Sequence, residues 1–297
     1  MTVQDQVERP VSVAQWDEKY AAGIRSAWTQ NPTVEHEIYR RMTGQTGHWL
    51  DWAFQTKLPP IERILSIGCG DGSHELAIAR QGYASEIHGF DASPVAIQQA
   101  RASAQAEGLT IDFQVGTFEA FAESDPSGPL MDAVLFSGSL HHVTNIEALL
   151  FAVRRHLKPG GLVIVNEYVG PCYQLYGQQQ IDVINAFLAR MPERFKLAPN
   201  FQFELPTIEM IMASDPTEGV RANMIRPLLP MFFKPKYERP FGGGLLHPIF
   251  SCLNDQNIND RSPESQALIE MLIVADSELT RLGALEDEFL FAILANP

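Results

Sequence analysis

The stretch ILSIGCGDGSHELAIAR, residues 64–80, opens as an apolar run of strand length, turns through glycines at 68, 70 and 72, and continues with helical spacing. Glycine has no Cβ, so Gly68, Gly70 and Gly72 permit positive φ and let a ligand lie close to the backbone. The amides that start the following helix face the same space. A dinucleotide fingerprint is GxGxxG/A, and its third required position here is Ser73, while the extra glycine is Gly72, which makes the pattern GxGxG. The loop also carries Asp71, whose carboxylate repels a pyrophosphate, and it has no Gly-Lys-Ser/Thr run of a P-loop. The reading is a strand–turn–helix that holds a ligand without phosphates.

From this unit outwards, strand-length apolar runs alternate with helical patterns: EIHGF then SPVAIQQARASAQAEG, LTIDFQV then TFEAFAE, MDAVLF then NIEALLFAVRRHL, and GLVIVNEYV. Parallel neighbours need a helical crossover, so the alternation predicts an α/β fold with a doubly wound, mostly parallel sheet and five strands up to about Tyr168. Asp91 and Ser93 before Pro94, and HLKPGG with its cation, proline and glycines, mark a helix start and a helix stop. Residues 1–58 lack strand patterning and read as a helical leader, and 59–168 as the cofactor-binding core. Residues 169–233 read as a helical insertion, carried by QQQIDVINAFLARM and PTIEMIMA. Residues 234–297 complete the sheet with one long helix and a last strand, EFLFAILA.

With 297 residues, 45% hydrophobic and 20% charged, the chain is long enough to bury a full core. No run approaches 18 uninterrupted apolar residues and the first ten residues lack signal-peptide character, which predicts a soluble cytoplasmic protein with no membrane partner. Cys69, Cys172 and Cys252 are far apart without CxxC spacing, so neither a disulfide framework nor a metal site is expected. A net charge of −14 disfavours a nucleic-acid partner.

ILSIGCGDG, GFDAS, MDAVLFSGSLHHV and LKPGGLVIVNE, in this order and spacing, resemble the successive motifs of class I S-adenosylmethionine-dependent methyltransferases, over about residues 61–168 and the last strand. The resemblance implies a Rossmann-like methyltransferase fold with S-adenosyl-L-methionine as cofactor. Gly68, Cys69, Gly70, Asp71 and Gly72 would hold its methionine part, Asp91 with Ala92 the ribose, Thr117 and Phe118 the adenine edge, and Ser137 and Gly138 the region of the sulfonium. An acid at the end of the second strand accepts charge-assisted bonds from ribose hydroxyls, although Asp91 could equally cap the next helix. Two positions depart from the family: Ser66 and Thr117 stand where it often carries acids.

Methyl transfer is an in-line displacement governed by orientation. Where the acceptor is a hydroxyl, a base helps remove its proton, and His141 and Glu167 at the ends of strands four and five are the catalytic candidates, with packing or loop-positioning as the alternative. His142, Tyr168, Tyr173, Tyr176 and Arg221 are the candidate substrate residues. Asp215, Glu218 and Arg221 are expected on one side of a helix opening after Pro216, either as an internal ion pair or in contact with substrate. No Asp/Asn/Ser-Pro-Pro-aromatic run follows strand four, which argues against amino-methylation of nucleic acid, and Cys172 lacks the basic partner of a nucleophilic thiolate. In the leader, Trp28 or Tyr39 could face the sulfonium and Arg40 or Arg41 the cofactor carboxylate, or all four could simply pack and pair. The expectation is O-methylation of a small-molecule acceptor. A cofactor-binding partner subunit without catalysis and a nicotinamide oxidoreductase are the alternatives.

Overall fold

The structure, a computed structural model, describes residues 11–22 and 28–297. Residues 1–10, and the 23–27 part of the leader's first helical pattern, lie outside the described residues. Seven strands, β1 (Arg63–Ile67), β2 (Glu86–Asp91), β3 (Asp112–Val115), β4 (Met131–Ser137), β5 (Leu157–Tyr168), β6 (Lys234–Pro240) and β7 (Phe289–Ala295), form one sheet in the order β3-β2-β1-β4-β5-β7-β6. β1 to β5 pair in parallel, and β7 runs antiparallel between β5 and β6. The fold is the expected doubly wound α/β sheet, and the last strand returns to it.

Strand side chains alternate between the two faces, and each face has its own core. Ala133 and Leu135 of β4 and Leu162 and Ile164 of β5 join the core that contains the leader helix Pro32–Thr43. Val134, Phe136, Val163 and Val165 join the one beneath the helix Ile146–His156. A sheet buried on both sides requires this near-continuous apolar composition. Local caps set the crossovers: Ser93 Oγ accepts from the Ala96 amide at 3.1 Å with Pro94 as first helical residue, and Asn145 Oδ1 accepts from Ala148 at 3.1 Å. The cap of the helix Pro94–Glu107 is therefore Ser93, which leaves Asp91 for other work.

Two elements differ from the sequence reading. β6, KPKYERP, carries no strand signal because it is an edge strand, where prolines and charges are tolerated and keep further strands from adding. No helix opens after Pro216: residues 216–221 form turns, and the helix Ala222–Phe232 begins with Arg221 as its N-cap. Arg221 instead makes a two-point ion pair with Glu147, at 2.7 Å on each oxygen, and reaches the Thr144 carbonyl. A bidentate partner from another element outcompetes the local i,i+3 pair. The helix tolerates Pro227 and Pro230 because Ile225, Leu228 and Leu229 bury its apolar side. No helix among the described residues is long and apolar enough to cross a membrane.

Candidate active site

In the order β3-β2-β1-β4-β5 the chain direction of build-up reverses between β1 and β4, and the crevice at the carboxyl ends of these strands is where open α/β sheets bind ligands. β1 ends there in the glycine loop. Gly68, Gly70 and Gly72 take φ of 72°, 56° and 77°. At Gly68 a Cβ would stand 2.5 Å from Ser139 Cβ, and at Gly72 2.5 Å from the Phe113 ring, so both positions are closed to side chains by space as well as by backbone. The amides of Gly68 and Cys69 both donate to the Phe90 carbonyl, at 2.9 and 3.0 Å, tying the loop to the end of β2.

Asp91 continues that tie. Its Oδ2 accepts from the Gly70 amide at 3.0 Å and its Oδ1 from Ser93 at 2.9 Å. Burial raises its carboxyl above the ordinary aspartate value, against the pull of the Ser93 and Gly70 amides. Asp91, Ala92, Thr117, Phe118 and Gly138 share a cavity of about 250 Å³, roofed by Trp16 from the leader helix Val11–Ala22. A second, more polar cavity of about 400 Å³ meets Gly68, Cys69, Gly70, Asp71, Ser137 and Gly138. Thr117 Oγ1 caps the short helix Phe118–Ala122 through the Ala120 amide at 3.1 Å, and Asp71 Oδ1 accepts from Ser73 at 3.1 Å. The Cys69 thiol is pushed well up by burial and by Glu75, which makes it a packing group.

The largest of these spaces, about 540 Å³, opens from Ser137 and Gly138 toward β5 and the insertion. His141 and Glu167 meet here: His141 Nδ1 lies 2.7 Å from Glu167 Oε2, while Glu167 Oε1 accepts from the amides of Ser139 and Leu140, both at 2.7 Å. Glu167 is 1% exposed, and three donors satisfy it. A carboxylate on Nδ1 fixes the proton there and leaves Nε2 with its lone pair, 3.8 Å from Glu218 Oε1. Burial lowers the pKa of His141, but the hydrogen bond and charge of Glu167 outweigh it and the net shift is upward. His142 is the opposite case: burial, then the charge of His141, pushes it down to about 3. Its Nδ1 bonds Thr217 Oγ1 at 3.1 Å, and that hydroxyl donates to Asp215 Oδ1 at 2.7 Å.

Tyr168 lines this cavity, its hydroxyl donating to the Pro171 carbonyl at 2.9 Å. Tyr173 and Tyr176 line an adjoining opening of about 400 Å³, and Gln174, Glu218 and His247 border both spaces. Arg221 borders neither, being held by Glu147. Cys172 bonds Asn223. Arg40 pairs with Glu37 at the surface and Arg41 with Glu37 and buried Asp276, so both leader arginines are structural. Trp28 and Tyr39 do line the cavity.

Several site residues escaped sequence reading. His74, in the first turn after the glycine loop, places Nε2 3.0 Å from Ser137 Oγ, and burial lowers its pKa to about 4. Ser139 Oγ donates to the Ile67 carbonyl at 2.6 Å and joins β1 to the loop after β4. A carboxylate also stands against Ser66, where the family pattern has its acid: Glu75, 1% exposed, with burial pushing its pKa up to about 7 despite a bond to Ser66. The position of His74 next to the loop was a usable signal. His247 comes from a segment given no site role in the sequence, whereas Glu218, expected either in an ion pair or against substrate, does line the cavity.

Residues 64–161 match a protein-family model described as a methyltransferase domain. Over 102 residues the chain is 43% identical to a ubiquinone biosynthesis O-methyltransferase of Cereibacter sphaeroides, a stretch that covers 34% of this chain and 39% of that protein. It is 28% identical over 154 residues to the protein of the same name from Pectobacterium atrosepticum, covering 45% and 61%. The matches thus span less than two thirds of these relatives. Among solved structures, the cyclase SpnF is similar with a TM-score of 0.48 and 17% identity, over 97% of this chain and 93% of that one.

Proposed function

We propose that residues 64–161, which match a methyltransferase-domain model, form a domain of the class I, S-adenosylmethionine-dependent type, and that the chain O-methylates a small-molecule acceptor. The residues at the glycine loop fit the cofactor. Gly68 and Gly70 border the more polar cavity with bare backbone, Asp91 offers a carboxylate with unused lone pairs, and Thr117 and Phe118 line an apolar cavity with no lysine or arginine among the described residues. Gly68, Cys69, Gly70, Asp71 and Gly72 would hold the methionine part, Asp91 and Ala92 the ribose, and Thr117 and Phe118 the base. Ser137 and Gly138 would lie where the two cofactor cavities meet the acceptor space. When bound, S-adenosylmethionine supplies an electrophilic methyl group on a sulfonium.

The chain's own residues supply orientation, exclusion of water and a proton acceptor. The observation that carries the reading is the His141–Glu167 pair in the wall of the 540 Å³ cavity that Gly138 also lines, with His141 Nε2 3.8 Å from Glu218 of the same wall. Nε2 takes the hydroxyl proton of the acceptor, and Glu167, on Nδ1, stabilises the imidazolium that forms. Residues 169–233 serve as the acceptor-side cover, with Tyr168, Tyr173 and Tyr176 as the acceptor contacts; His142, bonded to Thr217 of that segment, lines the 250 Å³ cofactor cavity and not the acceptor space. The geometry of Arg221 favours a role in anchoring the cover to Glu147. Incubation with methyl-labelled S-adenosylmethionine and a panel of hydroxylated acceptors tests the reading. Methyl ethers identified by mass are expected, and cofactor binding without any transfer across a broad panel would leave a partner subunit instead.

The ribose assignment has its own test. Asp91→Ala should weaken binding of S-adenosylhomocysteine by about 1.5–3 kcal/mol, the scale of a lost charge-assisted hydrogen bond. Unchanged affinity in calorimetry, with the variant folded, would restrict Asp91 to bracing the loop through Gly70.

A further inference from the structure

The acceptor cavity has a composition that the reaction alone does not require. Six aromatic side chains line it: Trp28, Tyr39, Trp49, Tyr168, Phe241 and Phe289. Among them stand the carboxylates of Glu35, Glu167 and Glu218, and no lysine or arginine of the described residues lines it. Glu167 is consumed by two amides and His141. Glu35 accepts the Tyr39 hydroxyl, at 2.5 Å, and Glu218 the Gln174 side-chain amide, at 2.9 Å, with the Nε2 atoms of His141 and His142 further off at 3.8 and 3.9 Å, so both carboxylates keep acceptor capacity toward the space. The three imidazoles on the wall other than His141 add little positive charge, since burial lowers His48 and takes His74 and His247 down to about 4.

Aromatic faces attract cations through their quadrupoles, and a carboxylate in a partly desolvated wall adds a charge-assisted bond. A neutral phenol or sugar could donate hydroxyl hydrogen bonds to these carboxylates but would gain no Coulombic attraction from them, and a carboxylated or phosphorylated acceptor would be repelled. Glu218 is placed for selection: it borders both the adjoining opening and the inner cavity, so an acceptor entering by that route passes it. We infer that the acceptor carries, besides its hydroxyl, a positively charged nitrogen, held against the aromatic walls by Glu218 and Glu35. This rests on the proposal that the 540 Å³ cavity is the acceptor site.

The test is calorimetry on the full chain in EDTA, saturated with S-adenosylhomocysteine so that no amine can occupy the cofactor's place. Three phenols that differ in one end are compared: tyramine, para-ethylphenol and para-hydroxyphenylpropionate. Tyramine should bind about tenfold or more tightly than the neutral phenol, and the anion more weakly than either. Glu218→Gln, whose side chain is 32% exposed, should remove most of the tyramine advantage and change para-ethylphenol binding far less. A Glu35→Gln variant gives the same readout at the second carboxylate of the cavity. Equal affinities, the reverse order, or no measurable tyramine binding would overturn the inference. A chain that fails to bind S-adenosylhomocysteine would instead remove the methyltransferase reading, and the same three titrations without it still decide the amine preference.

Discussion

Glu167→Gln is expected to lower kcat by about 10²–10⁴-fold, the range for losing general-base catalysis, while the affinity for S-adenosylhomocysteine stays within error. The glutamine oxygen can still accept the Ser139 and Leu140 amides that Glu167 Oε1 holds, so the turn after β4 survives. Its amide group then faces His141 Nδ1 and donates to it, which moves the ring proton to Nε2, where a lone pair is needed. The pH profile separates this from mere disturbance. His141 has its pKa raised above 6.5 because Glu167 outweighs burial, and the base must be neutral, so kcat/KM should fall as pH drops, along a limb centred above 6.5. In Glu167→Gln burial acts unopposed by that carboxylate and the limb should move down. The same pair stabilises the fold with the corresponding sign: its contribution is full below the unfolded value of 6.5 and is lost as pH rises through the raised folded value. An unchanged kcat in the folded variant would leave Glu167 as a brace for the turn.

Gly68→Val should abolish cofactor binding, a loss of about 10²-fold or more, on the order of 3 kcal/mol. The backbone at φ 72° is costly for any side chain and worst for a β-branched one. The new Cβ would also stand 2.5 Å from Ser139 Cβ and 3.3 Å from the Phe118 ring. Ser139 cannot yield cheaply, since its hydroxyl holds the Ile67 carbonyl and its amide holds Glu167. Gly82→Val is the control. It has φ 64° but nothing within 4 Å of its Cβ, so it carries the backbone strain without the clash and should leave cofactor affinity intact. Equal losses in the two variants would show that Gly68 acts through general stability.

The sheet was largely legible because β4, the second half of β5 and β7 carry apolar runs buried on both faces, and the shorter runs of β1 and β2 are followed by clear helix signals. β6 was not, because an edge strand of alternating prolines and charges obeys edge rules. The glycine loop, Asp91 and the His141–Glu167 pair were legible as types at strand ends. Their bonds were not, since the Gly70 amide reaches Asp91 21 positions along the chain and Glu167 reaches back to Ser139 across two strands. Residues 216–221 misled because Asp215, Glu218 and Arg221 satisfy a local helix pattern while Arg221 has a better partner 74 positions away. Glu35, Glu218 and His247 share a cavity through tertiary packing of the leader, the insertion and the short helix Leu246–Phe250 after β6, and no local pattern marks such convergence.

The most direct measurement is calorimetric titration of the full chain with S-adenosylhomocysteine, set beside the same titration with NADH. The central claim is that this glycine loop holds a nucleoside with an amino-acid tail and no phosphate. It predicts one saturable site for S-adenosylhomocysteine, lost in Gly68→Val and weakened in Asp91→Ala, with no binding of NADH. Saturable NADH binding, or no binding of S-adenosylhomocysteine by the folded chain, would contradict it.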